Sequence, residues 1–250
     1  MDILINIITR FSRKEEFIKN HYPSITSQTY KNFHHIITFT TDEEKQFLLK
    51  TTDPKTTTLC RCFPVRAIKE MGRSFYYKQF GPYNDLQFLD HKMWGGDFEE
   101  LTNPNWEGGR FATKHFPYNS FMLKAEQKIK KGWVMYLDDD DWLYNETSLE
   151  RLLPFLTNKD TLVGFDQISK GKLRPDREAL HHTYNLNSPP AKGVGFNSST
   201  QCFHSDYLEY TAWDEWSGSD WVTLRSLWYN IPHKKHCSEI IVECSPPNPK

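Results

Sequence analysis

Four consecutive aspartates, Asp138 to Asp141, directly follow the apolar run from Trp133 to Leu137. Carboxylates a few ångströms apart repel one another and raise one another's pKa, so such a patch at the end of a buried strand needs a nearby cation. A divalent metal with oxygen ligands often meets this need, lying between protein carboxylates and substrate phosphates. The run therefore predicts a metal and phosphate site, with a solvated acidic surface patch as the alternative.

Polar residues also follow two other strand-like runs. Thr9-Arg10 follows the apolar run 3–8, and Thr41-Asp42 follows the run 35–40. A helical stretch separates these two runs, which is typical of a βαβ unit with parallel strands. Ligands of open α/β sheets bind at the carboxyl ends of the strands. We therefore expect the three polar strand ends to form one pocket with a metal site, suited to a nucleotide.

The remaining pattern predicts an α/β fold whose mostly parallel central sheet is flanked by helices. Ser12 is the expected N-cap of the first helix, and Gly132 is the expected C-cap of the helix before the aspartates. The predicted strands cover 3–8, 35–40, 56–62, 133–137, 161–165 and 200–204, and the predicted helices begin near 14, 119, 147 and 217–220. Segments 80–117 and 170–200 show no regular pattern.

The composition argues against a nucleic-acid-binding protein, a transmembrane protein and a disulfide-rich protein. Thirty-one basic and 32 acidic residues leave a net charge of −1, which argues against a dedicated nucleic-acid binder. The mean hydropathy is −0.69 and the apolar runs are short, so no transmembrane segment is expected. The start of the chain has no signal-peptide pattern, and five cysteines do not indicate a disulfide framework. A cytoplasmic location with reduced thiols is therefore expected.

Three segments together resemble the family 2-like, nucleotide-sugar-dependent glycosyltransferases of GT-A fold. Ser24 to Phe33 reads SITSQTYKNF and is similar to the family's S-I-x-x-Q-T-Y-x-N-F segment. Tyr136 to Trp142 reads YLDDDDW, like the F-L-D-x-D-D-W metal (DXD) motif, and Gly218 to Trp221 is similar to G-x-D-W. The resemblance implies a Rossmann-like GT-A domain over 1–250, with a nucleotide-sugar half at 1–142 and an acceptor half at 143–250.

The resemblance implies a Mn²⁺ or Mg²⁺ cofactor that stabilises the leaving nucleoside diphosphate. Asp140 is the expected metal ligand, and Asp138 is expected to contact the ribose. A shift of one residue would give these roles to Asp139 and Asp141, which otherwise shape the turn or touch the acceptor side. The remaining nucleotide-sugar contacts are expected from Thr9, Arg10, Asp42, Asp139 and Asn119. Tyr118-Asn119 stands where the family often has Arg-Asn.

Asp220 corresponds to the family's catalytic base, which takes the proton from the acceptor hydroxyl during in-line attack and so gives inversion. A carboxylate that only stabilises the N-terminus of its helix is the alternative. Arg225 is a candidate to orient Asp220 or to bind phosphate, and an ordinary surface arginine is equally consistent. Trp216 and Trp221 are candidates to stack on an acceptor sugar, with core packing as the alternative.

His233 and His236 follow the predicted helix of the base, where some GT-A enzymes place a metal-binding histidine. Ten histidines in the chain also make a chance position plausible.

The sequence thus predicts a carbohydrate-biosynthetic enzyme, a hexosyltransferase-type glycosyltransferase that uses a nucleotide-diphosphate sugar, with a weak preference for UDP, and a glycan or other hydroxyl acceptor. A sugar nucleotidylyltransferase is one alternative, but it would need a glycine-rich loop after the first strand, and residues 9–13 contain no glycine. A non-catalytic carbohydrate- or nucleotide-binding module is the other alternative. The donor sugar, the acceptor and the oligomeric state are not predicted.

Overall fold

A computed structural model describes residues 3–62, 121–122, 124–169, 171–174, 198–211 and 219–244, without the side chains of 198 and 219–222. Its strands are β1 (Ile5–Arg10), β2 (Phe33–Phe39), β3 (Thr57–Arg61), β4 (Trp133–Tyr136), β5 (Asp141–Leu143), β6 (Thr161–Ser169), β7 (Lys172–Arg174), β8 (Gln201–His204) and β9 (His233–Cys244). Its helices are α1 (Lys14–Glu16), α2 (Tyr22–Thr26), α3 (Asp42–Thr51), α4 (Ser148–Leu152) and α5 (Ser219–Asn230), and a π-helical turn, Phe17–His21, joins α1 to α2.

One sheet contains all nine strands, in the order β3-β2-β1-β4-β8-β6-β9-β5, with β7 beside β6. The first four strands of this order run parallel, as does the pair β6 and β9. Strand β8 is antiparallel to both of its neighbours, β4 and β6. Strand β7 is antiparallel to β6, and β5 is antiparallel to β9. The α/β fold class predicted from the sequence is confirmed.

The central strands are buried on both faces, which explains their nearly continuous apolar sequences. Successive residues of β4 enter two different core clusters. Trp133 and Met135 pack with the α4 residues Leu149 and Leu152 on one face. On the other face are Val134, Tyr136, Phe203 and the α5 residues Leu224, Leu227 and Trp228. Helices thus cover both faces of the sheet, and its strand ends carry the polar residues.

The sheet curls around its antiparallel half. Only residues 137–140 separate β4 from β5, although three strands lie between these two in the sheet order. Four strand spacings span about 19 Å in a flat sheet, whereas the five chain steps from Tyr136 to Asp141 extend over at most about 18 Å. The curl therefore brings β5, and the ends of β9 and β6 beside it, back to the carboxyl end of β4.

Two caps predicted from the sequence are wrong. Arg13 occupies the N-cap position of α1 and makes no side-chain cap, and the Ser12 hydroxyl donates to Asp139 instead of capping the helix. The helical residues before the aspartates end at 126, so Gly132 is not their cap. A Cβ at position 132 would lie 2.6 Å from the carbonyl oxygen of Leu4, so glycine is required there by close backbone approach.

Candidate active site

The polar strand ends meet at one edge of the sheet, at its topological switch point. The chain proceeds from β1 to β2 and β3 on one side and returns to β4 on the other side of β1. Phe11 donates its N–H to the carbonyl of Thr38 at 2.9 Å, and Leu137 donates to the carbonyl of Ile8 at 2.9 Å. The segments that follow β1, β2 and β4 are thereby held side by side, where ligands of α/β sheets bind.

The four aspartates form a tight turn in which buried and partly exposed side chains alternate. The N–H of Asp141 donates to the carbonyl of Asp138 at 2.9 Å. Asp139 and Asp141 are buried, whereas Asp138 and Asp140 are partly exposed. The two pairs therefore have different surroundings, although their predicted roles toward nucleotide and metal stay predictions.

Asp139 binds the backbone that follows β1. One carboxylate oxygen accepts the N–H groups of Ser12 and Arg13, the latter at 2.5 Å. The other oxygen accepts the Ser12 hydroxyl at 3.3 Å and lies 3.2 Å from Nη1 of Arg13. A carboxylate with no exposed surface and four protein donors stabilises the junction of two loops.

Arg13 is a cation that contacts the acidic turn directly. Its Nη1 lies 2.5 Å from Oδ1 of Asp140 and 3.2 Å from Oδ1 of Asp139. Burial lowers the pKa of Arg13, but the nearby carboxylates outweigh this effect and raise it. Burial raises the pKa of Asp140, and Arg13 opposes that rise. Arg13 thus partly neutralises the turn from the side of β1.

Asp141 connects the acidic turn to the antiparallel half of the sheet. Its Oδ2 accepts the hydroxyl of Ser199 at 2.7 Å, just before β8. Its backbone pairs with Cys244 at the end of β9. Burial, followed by repulsion from Asp138, raises the pKa of the Asp141 carboxyl to about 8, which favours its protonated form.

Thr9 lies in a buried chain of hydrogen bonds. Its hydroxyl is 3.0 Å from Nε2 of His21 and 2.9 Å from Nε2 of His35, and Nδ1 of His21 is 2.7 Å from the carbonyl oxygen of Asp141. Thr9, His21 and His35 have no exposed surface. These hydrogen bonds join β1, the π-helical turn and β2 to the acidic turn, so they stabilise the buried side of the site.

Arg10 and Asp42 lie at the same edge of the sheet. Arg10 is the partly buried last residue of β1 and pairs with Thr38. Asp42 begins α3, and its exposed carboxylate is 3.0 Å from Nη1 of Arg61 at the end of β3. Thr41 rather than Asp42 caps this helix, in a capping box with Glu44.

The topology also places the start of α5 at this edge. The helix contacts the 3-10 turns Ser198–Thr200 and Ser205–Tyr210, which precede and follow β8. Its C-terminal end leads to His233, whose N–H donates to the carbonyl of Asp160 just before β6. Because β8 runs antiparallel to both β4 and β6, the helix begins at the edge where β4 ends. Asp220 lies in the first turn of this helix.

The predicted residues around Asp220 are only partly described. The side chains of Asp220 and Trp221, and the residues Asn119 and Trp216, lie outside the described part of the chain. Arg225 is exposed, and its guanidinium lies 6.0 Å from the ring centre of Tyr229, which is consistent with a surface arginine.

The two candidate histidines lie at different positions on β9. His233 is exposed and pairs with Thr161 at the start of β6, which is the edge opposite the aspartates. The structure therefore does not bring His233 to the acidic turn. His236 pairs with Gly164, further along β6, and its Nε2 is 2.8 Å from Oδ1 of buried Asp166.

The donor chemistry of the acidic turn suits a hard divalent cation. Within the described residues, no group of three or more His, Cys, Asp or Glu side chains is arranged to hold a metal. Partly exposed Asp138 and Asp140 still offer carboxylate oxygens at the carboxyl ends of the strands. Magnesium-type ions are commonly bound through one or two carboxylates with substrate phosphates and water completing the shell, so the residues fit such an ion.

Gln28, in the middle of the SITSQTYKNF segment, makes hydrogen bonds that connect α2 to the chain just after the acidic turn. Its Nε2 donates to the carbonyls of Ser24 and Asn145 at 2.8 and 2.6 Å, and its Oε1 accepts the N–H of Leu149 at 2.9 Å. The amide thus joins α2 to the start of α4, just after the acidic turn. The conformation of this motif is explained by buried hydrogen bonds rather than by a ligand.

Sequence reasoning missed Ser12, Arg13 and Ser199 as neighbours of the aspartates. Ser12 and Arg13 follow β1, which pairs directly with β4. The expected pairing of these two strands could have placed both residues beside the aspartates. Ser199 reaches Asp141 through the antiparallel pairing of β8, which the sequence pattern does not specify.

No protein-family model and no curated protein matches the sequence. Among solved structures, residues 1–349 of TarS from S. aureus match with a TM-score of 0.59 and 12% identity, over 97% of this chain and 60% of that one. The same TarS fragment in complex with UDP-GlcNAc matches with a TM-score of 0.59 and 12% identity, over 99% and 60% of the two chains.

Mannosyltransferase PcManGT from Pyrobaculum calidifontis, in complex with GDP-Man and Mn²⁺, matches with a TM-score of 0.54 and 15% identity, over 98% of this chain and 57% of that one. The chain thus spans about 60% of the length of these neighbours, and no helix among its described residues is long and apolar enough to cross a membrane. The similarity extends over nearly the whole chain, and the protein has a GT-A-like glycosyltransferase fold.

Proposed function

We propose that this protein is a metal-dependent, inverting glycosyltransferase that moves a hexose from a nucleotide-diphosphate sugar to a hydroxyl acceptor. One observation carries the proposal: the acidic turn after β4 and the first turn of α5, with Asp220, lie at one edge of a GT-A-like sheet. The reaction breaks the bond between the anomeric carbon and the diphosphate. It needs a donor site that binds the diphosphate on one side of this bond and a base for the acceptor hydroxyl on the other side.

The proposed donor class is supported by the carboxyl edge of the sheet and by the ligands of the neighbouring structures, UDP, UDP-GlcNAc and GDP-Man. In the proposal, partly exposed Asp138 binds the ribose, and Asp42 and Arg10 contact the nucleotide from the adjoining strand ends. Asn119 keeps its expected role as a nucleotide-sugar contact. The alternative of a nucleotidylyltransferase still lacks a glycine-rich loop after β1.

Asp140 is the proposed ligand of Mn²⁺ or Mg²⁺. When bound, the ion would act as a Lewis acid on the diphosphate and stabilise the charge that develops as the glycosidic bond breaks. Asp140 is partly exposed and already has a cation, Arg13, at 2.5 Å, so its carboxylate is oriented toward positive charge before any ligand arrives. In the proposal, Arg13, which contacts Asp139 and Asp140, also helps to neutralise the diphosphate.

Asp220 is the proposed general base. Its carboxylate takes the proton from the acceptor hydroxyl while the hydroxyl oxygen attacks the anomeric carbon and the bond to the diphosphate breaks. Attack on the face opposite the leaving group inverts the anomeric configuration. The position of Asp220 at the start of α5 supports this role, because that end of the helix lies at the edge that holds the acidic turn.

Three expected contacts are reassigned in this proposal. Thr9 and Asp139 are fully buried and bound to other protein groups, so we assign both to the support of the loops rather than to nucleotide contact. His233 lies at the opposite edge of the sheet and is omitted from the metal ligands. His236 stays a candidate ligand, with Asp166 as the carboxylate that orients its ring.

The test is nucleoside diphosphate release from UDP-GlcNAc or GDP-mannose in the presence of Mn²⁺, with water or an added glycan as acceptor. Asp220→Asn is expected to lower the turnover rate by about 10²–10⁴-fold, the usual contribution of a general base, while donor affinity changes little. Asp206→Asn is the matched control, since it removes a carboxylate paired with Lys159 near the opposite edge. Full activity of a folded Asp220→Asn variant would refute the assignment of the base.

A further inference from the structure

Gln201, the first residue of β8, is a buried amide without an internal partner. Its side chain is 1% exposed, and neither Oε1 nor Nε2 has a hydrogen-bond partner in the structure as described. Leaving both groups of a buried amide unsatisfied destabilises a fold, and native proteins rarely do so without a reason. Unmet hydrogen bonds of this kind are consistent with a group that binds a ligand.

The position of Gln201 is next to the proposed active site. Met135 of β4 pairs with Cys202, so Gln201 lies one step further toward the carboxyl end of β4. Ser199, two residues earlier, donates its hydroxyl to Asp141 in the acidic turn. Gln201 shares its face of the sheet with Phe203, which packs against α5, and the first turn of that helix holds Asp220.

The surroundings of the amide on this face change from apolar to polar. The cross-strand partner of Gln201 is Gly164, which has no side chain to shield or bind the amide. Two residues further along β6 is buried Asp166, which is paired with His236 at 2.8 Å. Leu162, on the side away from the site, belongs to the apolar cluster under α5. The apolar core thus ends in polar groups at the active-site edge.

We propose that Gln201 is a substrate-binding residue whose amide hydrogen-bonds a sugar hydroxyl between the acidic turn and α5. A hydroxyl both donates and accepts, and so matches the C=O and NH₂ of a carboxamide. The hydroxyl belongs to the donor sugar or to the acceptor, and the experiment distinguishes these sources. The proposal rests on the proposed glycosyl transfer, because that reaction places a sugar at this edge.

The experiment compares Gln201→Met with wild type and with Gln167→Met. Gln167 is also buried on β6, but its Oε1 already accepts a hydrogen bond from Cys244. Without ligand, Gln201→Met is expected to raise the Tm by about 2–4 °C, because an unsatisfied polar group is removed. Gln167→Met is expected to lower the Tm.

Binding is then measured by calorimetry with Mn²⁺, using UDP, UDP-GlcNAc, GDP and GDP-mannose. If the donor sugar is the source, Gln201→Met weakens binding of the sugar nucleotide about tenfold and leaves the nucleoside diphosphate unchanged. If the acceptor is the source, donor binding is unchanged and the acceptor KM rises about tenfold. Gln167→Met is expected to change neither quantity.

The proposal is overturned if Gln201→Met changes neither donor affinity nor acceptor KM while Asp140→Ala still weakens donor binding, since the proposed function then stands without Gln201. A fall in Tm for Gln201→Met would also contradict it, because the amide would then have an internal partner. If wild type binds none of these nucleotides, both the proposed function and the role of Gln201 fail.

Discussion

At the residue scale, the central feature is the alternation of surroundings along Asp138 to Asp141. The resemblance to the D-x-D motif, aligned on Leu137, predicted different roles for the two pairs, and these roles stay predictions. The sequence did not predict Arg13 or Gln201, because a single charged or polar side chain carries no periodic signal. Their importance depends on which strands are neighbours, and β8 is brought beside β4 only by tertiary structure.

Asp141 provides a pH test at this scale. Its folded pKa of about 8 lies above the usual value of 3.8, so the native state holds a proton that the unfolded state releases between these values. The free energy of unfolding of metal-free protein therefore has a component that falls as the pH rises from about 4 to about 8, by at most about 1.4 kcal/mol per pH unit.

Asp141→Asn removes this component, so the stability of the variant relative to wild type is expected to increase with pH over the same window. Urea denaturation at several pH values, in a chelating buffer, measures the difference. A difference that stays constant from about pH 4 to pH 8 would show that the carboxyl is not protonated in the native state.

At the element scale, the strand–helix–strand pattern of the first half was largely predictable because its buried parallel strands are nearly all apolar. Strand β9 was missed, since its first half, HKKHCSE, is polar and largely exposed, and β5 was missed because it consists of three residues that follow the acidic turn. Helix α3 was also missed, although Thr41 and Glu44 form a capping box that its sequence contains.

Thr9 tests how the elements beneath the site are held together. Thr9→Val keeps the shape of the side chain but leaves the imidazoles of His21 and His35 without their shared hydroxyl, so we expect a loss of about 2–4 kcal/mol in the free energy of unfolding. Nucleotide affinity of the folded variant is expected to be nearly unchanged, since the hydroxyl already binds both imidazoles and is not available to a ligand.

Chemical denaturation and calorimetry measure these two quantities. Thr26→Val is the control, because the Thr26 hydroxyl bonds only carbonyls of its own helix turn and is exposed. A Thr9→Val variant of unchanged stability and much weaker nucleotide binding would instead restore Thr9 to the nucleotide contacts.

At the scale of the whole molecule, the curl of the sheet assembles the site from distant parts of the chain. The acidic turn, the segment after β1, the start of β8 and the start of α5 meet at one edge. The parallel half could be predicted from local pattern. The curl of the sheet could not be predicted, because it follows from the short link between β4 and β5 and from pairings between residues about 100 positions apart.

The central claim is that this edge binds a nucleotide-diphosphate sugar through a divalent metal at Asp140. The most direct measurement is calorimetric titration of UDP-GlcNAc and GDP-mannose, with and without Mn²⁺, into wild type, Asp140→Ala and the control Asp206→Asn. We expect wild type and Asp206→Asn to bind one of these donors with at least about tenfold higher affinity when Mn²⁺ is present, and Asp140→Ala to lose that difference. Equal donor affinity of all three proteins, with or without Mn²⁺, would show that Asp140 holds no metal for a donor.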